Sequence, residues 1–163
     1  KPYLEELSRK YGEIIHFVQA EENAVLYLDK IESTRAIRIY TGIGGIMPLY
    51  CTAVGKAILS TRTEEELSDY FNNVKLDKYT KNTITTKDGL LKEIAESKRR
   101  GFAIDNGENH EDLYCVAIAV CNRQDQGSHA ISISLPLFRK DNYNLDEMVN
   151  DLRRTRDKIE KYF

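Results

Sequence analysis

The sequence predicts an α+β domain, an antiparallel β-sheet flanked by helices, on two observations. Runs rich in β-branched and aromatic residues recur along the chain and are separated by short turn-like segments, which is typical of sequential strands. Around them lie segments whose apolar residues repeat every three or four positions and that begin or end at capping residues, which is typical of amphipathic helices. With 163 residues, the chain is long enough to bury one compact core and short enough to be a single domain.

The first quarter of the chain predicts one helix and three strands. Leu4, Leu7 and Tyr11 share one helical face in YLEELSRKYG, and Gly12 provides a C-terminal stop. The turn-like EEN and EST separate the β-branched and aromatic runs that follow. We therefore expect three successive antiparallel strands, IIHFVQA, AVLYLDKI and RAIRIYT, at residues 14–20, 24–31 and 35–41.

Capping residues predict two helices in the middle of the chain. Thr63 and Glu66 form a capping box at the start of EEELSDYF, and Thr86 caps KDGLLKEIAESKRR, which ends at Gly101. The basic SKRRG at that end complements the helix dipole and is not interpreted as a nucleic-acid patch. A last amphipathic helix, covering the sheet or a partner, is predicted within residues 144–163 from an apolar stripe of Leu145, Met148, Val149, Leu152, Ile159 and Phe163.

YCVAIAVC and SHAISISL, joined by the polar NRQDQG, predict a β-hairpin with two unequal faces. The expected register pairs Cys121 with Ser128, Ala119 with Ala130, Ala117 with Ser132 and Cys115 with Ser134. Because strand side chains alternate between faces, these small residues share one face and the bulky apolar residues share the other. Two interpretations stay open: the small face leaves room for a small polar ligand, or it packs tightly under a helix.

The Gly55-Lys56 pair does not form a nucleotide site. A phosphate-binding P-loop needs Gly where this chain has Tyr50, and Ser or Thr where it has Ala57. The dinucleotide fingerprint fails as well, because GIGGIM lacks its third glycine. What remains is a helix start with Thr52 as the N-cap, whose first-turn amides near residues 53 and 54 suit a carboxylate. Lys56, one turn further on, is interpreted as a solvated or structural charge.

Composition excludes several classes of function. With 24 Lys and Arg against 26 Asp and Glu the net charge is −2, so this chain is not expected to bind DNA on its own. Three cysteines without a C-x-x-C pair indicate a reducing compartment, the cytoplasm. No apolar run is long enough to span a membrane, and no signal-like segment opens the chain. The start at Lys1, without an initiator Met, favours a piece of a longer protein.

Four segments together carry a resemblance to a known family: LYLDKIES, MPLYCTAVGKAIL, GFAIDNGENHEDLYCVA and AISISLP. With them, the chain resembles the effector-binding domain of IclR-family bacterial transcriptional regulators from its first helix to its last. The resemblance implies a GAF-like fold over residues 1–163 as a single domain, preceded in the intact protein by a winged helix-turn-helix domain that binds DNA. PLY, NTIT and SISLP are more similar to the branch that responds to sugar acids such as 2-keto-3-deoxygluconate than to the glyoxylate-responding branch.

The resemblance also implies a ligand site and partners. The effector would be a small organic acid, a 2-keto acid or a sugar acid, and the protein a homodimer or homotetramer that touches DNA only through the missing domain. No cofactor and no metal are expected. Asp112 stands where the family usually has Gly, and Cys121 where an aromatic residue is usual, so the 106–112 loop is expected to close differently over a ligand. By matching motif positions, the effector-binding residues would be Met47, Ala53, Val54, Asp105, Leu113, Cys115, Ser132 and Ser134.

Residue chemistry agrees with such a site and leaves alternatives. Serine hydroxyls and helix amides can hold a carboxylate, and an ionised Asp105 can accept hydrogen bonds from ligand hydroxyls unless it only caps a turn. An enzyme would need Cys115, His110 and Asp105 as nucleophile, base and orienting group, and zinc would need Cys51, His110 and Cys115. A purely oligomeric module is the third alternative. His16 and His129 are interpreted as ordinary surface or packed strand residues.

Overall fold

Six antiparallel strands and five α-helices make up the part of the chain that the computed structural model describes, residues 1–35, 43–124 and 126–163. The strand order across the sheet is β3-β2-β1-β6-β5-β4. In chain order the elements are α1 (Pro2–Tyr11), β1 (Ile14–Ala20), β2 (Ala24–Ile31), β3 (Ile46–Pro48), α2 (Ala53–Leu59), α3 (Glu64–Asn73), α4 (Lys87–Arg100), β4 (Ala103–Asn106), β5 (Leu113–Cys121), β6 (Gly127–Pro136) and α5 (Leu145–Ile159), with short 3₁₀ helices at Leu137–Asn142 and Glu160–Tyr162.

The α+β prediction is confirmed, and so are most of its element boundaries. Helix α1 ends at Gly12, which adopts a left-handed conformation (φ 65°) and donates its N–H to Ser8 O. Thr63 and Glu66 form the predicted capping box, and the Thr86 hydroxyl accepts from Gly89 N. Strands β1 and β2 match their predicted ranges. Residues 36–41 of the third predicted strand lie outside the described residues.

The predicted β5–β6 register is confirmed except at the turn. Cys115 pairs with Ser134, Ala117 with Ser132 and Ala119 with Ala130. The predicted pairing of Cys121 with Ser128 is wrong, because the register shifts after Val120 and Cys121 instead faces Gly127. At this shift the Gly127 N–H donates to Thr61 Oγ1 at 3.0 Å, a partner outside the sheet.

The sheet separates two cores of different character. Its bulky face packs against α1 and α5, where Met148, Val149 and Leu152 are buried, so the last helix covers the sheet. Its small face, with Ala117 and Ala130, packs against α2. Small side chains bring the short helix α2 close to the strands, and this contact sets the geometry of the site described next.

No helix in residues 1–35, 43–124 or 126–163 is both long enough and apolar enough to cross a membrane.

Candidate functional site

All eight residues predicted to bind an effector line one cavity between the small face of the sheet and the start of α2. The cavity volume is about 30 Å³, which leaves space for one or two water molecules. Both interpretations of the small face therefore hold in part, because α2 packs closely on it and a small closed space remains. The described residues that line the cavity are His16, Tyr27, Met47, Thr52, Ala53, Val54, Asp105, Asn109, Leu113, Cys115, Ser132 and Ser134.

Polar side chains from two neighbouring strands meet at the floor of the cavity. The β1–β6 register places His16 opposite Ser132, and Ser134 lies two residues further along the same face. The His16 Nδ1 atom lies 3.2 Å from Ser134 Oγ and 3.4 Å from Ser132 Oγ. Burial, with a smaller contribution from the Lys30 charge, lowers the pKa of His16 to about 3, so the imidazole is neutral at physiological pH. The floor thus presents neutral hydrogen-bonding groups.

The start of α2 forms a second wall. Thr52 is the N-cap as predicted: its hydroxyl accepts from Gly55 N at 3.1 Å and donates to Pro48 O at 2.8 Å. These bonds fix the first turn, which carries Ala53 and Val54 into the cavity wall. With seven residues, α2 is too short for its dipole to dominate, so the side chains of the cavity carry most of its chemistry.

Asp105 and Glu108 form the acidic side of the site. Asp105 is 1% exposed, and its Oδ1 accepts from Glu108 N at 2.7 Å, so this carboxyl both caps the turn and lines the cavity. Burial raises the pKa of Asp105 to about 7, an effect that the Glu108 carboxylate reinforces and that the Glu108 N–H and the Lys56 charge oppose. The expectation of an ionised Asp105 is therefore corrected: at neutral pH a substantial fraction of this carboxyl is protonated.

Lys56 is a structural charge and is not solvated. Its side chain is 1% exposed, and its Nζ donates to both carboxylate oxygens of Glu108 at 2.8 and 2.7 Å. Glu93 Oε1 lies 3.6 Å from the same ammonium group. Because Glu108 holds the Lys56 ammonium group in this position, the group is paired within the protein and does not face a ligand.

The cysteine chemistry considered in the sequence analysis finds no support. Burial, with the nearby Asp105 charge, raises the pKa of the Cys115 thiol well above its usual value, the opposite of what a thiolate nucleophile needs. His110 lies outside the cavity wall, and its Nδ1 accepts from Asp112 N at 3.3 Å. Cys51 donates to Asn109 Oδ1 at 3.7 Å. Within the described residues, His, Cys, Asp and Glu side chains nowhere gather in a group of three that could hold a metal ion.

The remaining lining residues are not predicted as part of the site. Thr52 is predicted only as an N-cap, and the other three are His16, Tyr27 and Asn109. The rings of His16 and Tyr27 pack edge to face with centroids 4.9 Å apart, so the two neighbouring strands β1 and β2 supply them together. Asn109 arrives on the turn after β4. Strand alternation alone places His16 on a face, and only knowledge that β1 lies beside β6 would identify it as a neighbour of the serines.

Side-chain hydrogen bonds join a distant loop to the turn beside the cavity. Thr80 Oγ1 donates to Gly107 O at 2.5 Å, and Thr83 Oγ1 donates to Glu108 O at 2.6 Å. The Asn82 side chain donates to Asn106 O at 3.0 Å. These bonds tie the 80–83 segment to the turn that carries Asn109, so the cavity wall depends on a segment distant in sequence.

The raised pKa of Asp105 predicts a pH dependence of stability. Below about pH 4 the carboxyl is protonated in both folded and unfolded chains; between about pH 4 and 7 only the folded chain retains the proton. The free energy of unfolding should therefore fall through this window as pH rises, by at most about 1.4 kcal/mol per pH unit from this group. Urea unfolding of wild type and Asp105→Asn at several pH values measures the difference, and parallel curves for the two proteins would contradict it.

Comparison with known proteins identifies the family. The family model described as bacterial transcriptional regulator IclR C-terminal matches residues 1–161. The HTH-type transcriptional regulator KdgR of Escherichia coli K12 is 35% identical over 156 residues, which are 96% of this chain and 59% of that protein. KdgR of Dickeya chrysanthemi is 34% identical over 146 residues, 90% of this chain and 48% of that protein, and together the two support the predicted KdgR-like branch.

Solved structures agree with these matches. The crystal structure of the C-terminal domain of E. coli KdgR has a TM-score of 0.89 at 32% identity and covers 98% of this chain and 93% of that one. The Thermotoga maritima IclR structure has a TM-score of 0.94 at 28% identity and covers 99% of this chain and 65% of that one. The chain spans about half the length of the curated relatives it matches. It belongs to the IclR family of bacterial transcriptional regulators and corresponds to their C-terminal domain.

Proposed function

We propose that this domain binds a small organic acid, a 2-keto acid or a sugar acid, and that occupancy changes DNA binding by the intact regulator. The observation that supports this proposal is the convergence of all eight predicted residues on one buried cavity with polar and apolar walls. Such a combination is typical of small-molecule sites, in which apolar walls supply burial and a few polar groups set orientation.

Each group in the cavity has a role in this proposal. The hydroxyls of Ser132 and Ser134 and the first-turn amides of residues 53 and 54 hold the ligand carboxylate. Asp105 contacts ligand hydroxyls or a hydrated carbonyl, and Met47 and Leu113 supply apolar walls. Cys115, protonated because it is buried, adds a weak donor and volume. An acid larger than two waters requires the wall to move outward, and the turn that carries Asn109 of this wall is held by side-chain hydrogen bonds from the 80–83 segment.

The proposal also covers the intact protein. We place DNA contact in a winged helix-turn-helix domain outside this chain, because a domain with net charge −2 lacks the basic surface that DNA binding needs. We further propose a homodimer or homotetramer, so that an opening of the site in one subunit reaches a neighbour. Sedimentation of the domain with and without ligand tests the assembly.

Calorimetry against pyruvate, gluconate, 2-keto-3-deoxygluconate and acetate tests ligand binding, and Asp105→Ala tests the site. At pH 6, where the Asp105 carboxyl is mostly neutral, this substitution is expected to weaken a hydroxylated acid by about 0.5–1.5 kcal/mol, the net scale of a hydrogen bond between neutral groups, and acetate less. Glu111→Ala is the matched control, since Glu111 is an exposed acid in the same loop and its removal should leave both affinities unchanged.

Two results would count against the proposal. If none of the acids binds at millimolar concentration, the sensing function is wrong. If Asp105→Ala lowers the melting temperature and weakens hydroxylated and plain acids equally, the carboxyl supports the turn through Glu108 N and does not recognise hydroxyl groups.

A further inference from the structure

The described wall of the cavity contains no cationic side chain. Among the described residues that line it, none is Lys or Arg, and His16 is neutral. The nearest buried ammonium, Lys56, is held by both oxygens of Glu108. An anionic ligand would therefore enter a space whose acid, Asp105, has no cationic partner of its own.

Groups from several elements surround Asp105, and none of them supplies a free positive charge. The turn after β4 brings Glu108, which binds Asp105 through its backbone N–H. From α2 comes Lys56, and from β5 the register partner Cys115. Two further groups that interact electrostatically with Asp105, both neutral because burial raises the pKa of each, are Tyr27 on β2 and Cys51 before α2. Glu93 on α4 stands behind Lys56, and Lys30, paired with Glu32, acts on His16.

We propose that an anionic ligand binds in this cavity together with one proton, which the Asp105 carboxylate takes up from solvent. The inference rests on the proposed function, since it concerns the same site. Two carboxylates that share a closed space of low dielectric cannot both stay ionised, so one of them retains a proton. The serine hydroxyls donate to the ligand carboxylate and stabilise its negative charge, whereas burial favours the neutral form of Asp105. The proton is therefore retained by Asp105.

The proposed coupling of ligand binding to proton uptake predicts how the affinity changes with pH. Below about pH 7 Asp105 already carries its proton, and the affinity for an anion is insensitive to pH. Above about pH 7 the free site must gain a proton to bind, so the dissociation constant should rise about tenfold per pH unit. Protonated Asp105 can then donate to the ligand, which an ionised carboxylate cannot do.

Calorimetry of the wild-type domain at pH 8 in phosphate and in Tris measures the number of protons that are taken up when the ligand binds. The probes are pyruvate, gluconate and 2-keto-3-deoxygluconate, with the tightest binder taken forward. The observed enthalpies in the two buffers should differ by the difference of the buffer ionisation enthalpies multiplied by about one proton. In Asp105→Asn, whose side-chain oxygen still accepts from Glu108 N, this difference should vanish and the affinity should become independent of pH.

Asp151→Asn is the matched control. Asp151 is also a buried aspartate, but it lies outside the cavity and is paired with Lys10, Arg154 and Tyr11. The substitution should leave proton uptake unchanged. If Asp105→Asn does not fold, ¹³C NMR of the wild-type Asp105 carboxyl at pH 8 decides, since the resonance should move to its protonated position when ligand is added.

The outcomes separate the two proposals. Binding without proton uptake, or an Asp105 resonance that stays at its ionised position, overturns the inference and leaves the sensing function intact. Proton uptake that persists in Asp105→Asn assigns the proton to another group and also overturns it. Failure of every acid to bind overturns the sensing function itself.

Discussion

Lys56→Met is expected to lower the free energy of unfolding by about 3–5 kcal/mol, as removal of one partner from a buried ion pair does. The substitution keeps the length and apolar part of the side chain, so little packing is lost. It leaves the Glu108 carboxylate, which is 6% exposed, without the ammonium group that holds both of its oxygens. Urea unfolding at pH 7 measures the loss.

Two further variants define the cause. Lys75→Met is the control, because Lys75 pairs with Asp77 at 3.2 Å on the surface and should cost less than about 1 kcal/mol. Adding Glu108→Gln to Lys56→Met removes the unpaired charge and should restore part of the stability. Equal losses of unfolding free energy in Lys56→Met and Lys75→Met would show that the buried ion pair stabilises the domain no more than the surface pair does.

Gly55→Ala should destabilise the domain by about 3 kcal/mol, at the upper end of the cost of overpacking. A Cβ at this position would lie 2.6 Å from the carbonyl carbon of Leu49 and even closer to its oxygen. These are backbone atoms, so α2 would have to move, and the cavity wall at Ala53 and Val54 would move with it. We therefore expect weaker ligand binding along with a lower melting temperature.

Helix α4 provides a matched comparison. Gly89 occupies the same place after its cap as Gly55, since its N–H donates to the Thr86 hydroxyl as Gly55 N donates to Thr52. The atoms a Cβ would meet there belong to the side chains of Thr86 and Ile84, at 2.8 and 3.2 Å. Rotation of Thr86 would relieve the contact at the cost of its cap bond, about 1 kcal/mol, and the preference of a helix for Ala over Gly, also about 1 kcal/mol, offsets that loss, so Gly89→Ala should be near neutral. A similar loss in both variants would refute the backbone explanation.

Local patterns predict much of this fold because they depend on neighbours in sequence. The Thr63–Glu66 capping box and the Gly12 stop are read within a few residues, and both are confirmed. The register of β5 and β6 is also local, apart from the shift at the turn, where Thr61 supplies a hydrogen bond that the hairpin sequence does not contain. The sequence does not predict strand β3, because three residues are too few to show alternation.

The parts of the site that sequence reasoning missed depend on contacts between distant segments. His16 meets Ser134 only because β1 and β6 are neighbours in the sheet, although 118 residues separate them. Lys56 meets Glu108 across 52 residues, and no local pattern distinguishes a buried lysine from a solvated one. The ionisation state of Asp105 likewise follows from burial, which the order of residues does not reveal. The eight predicted site residues follow from motif positions of the family. That they line one cavity is visible only in the structure.

The hydrogen bonds from Thr80 and Thr83 to the turn at residues 107–108 have a kinetic consequence. A cavity of about 30 Å³ is too small for an organic acid, so binding of the proposed ligand would require its wall to open, and these bonds hold the turn that carries Asn109 of that wall. Association should then level off at high ligand concentration instead of rising at the rate of diffusional encounter. For the proposed ligand, departure would pass through the same opening, so loss of either threonine hydroxyl is expected to shorten the time that the ligand stays bound.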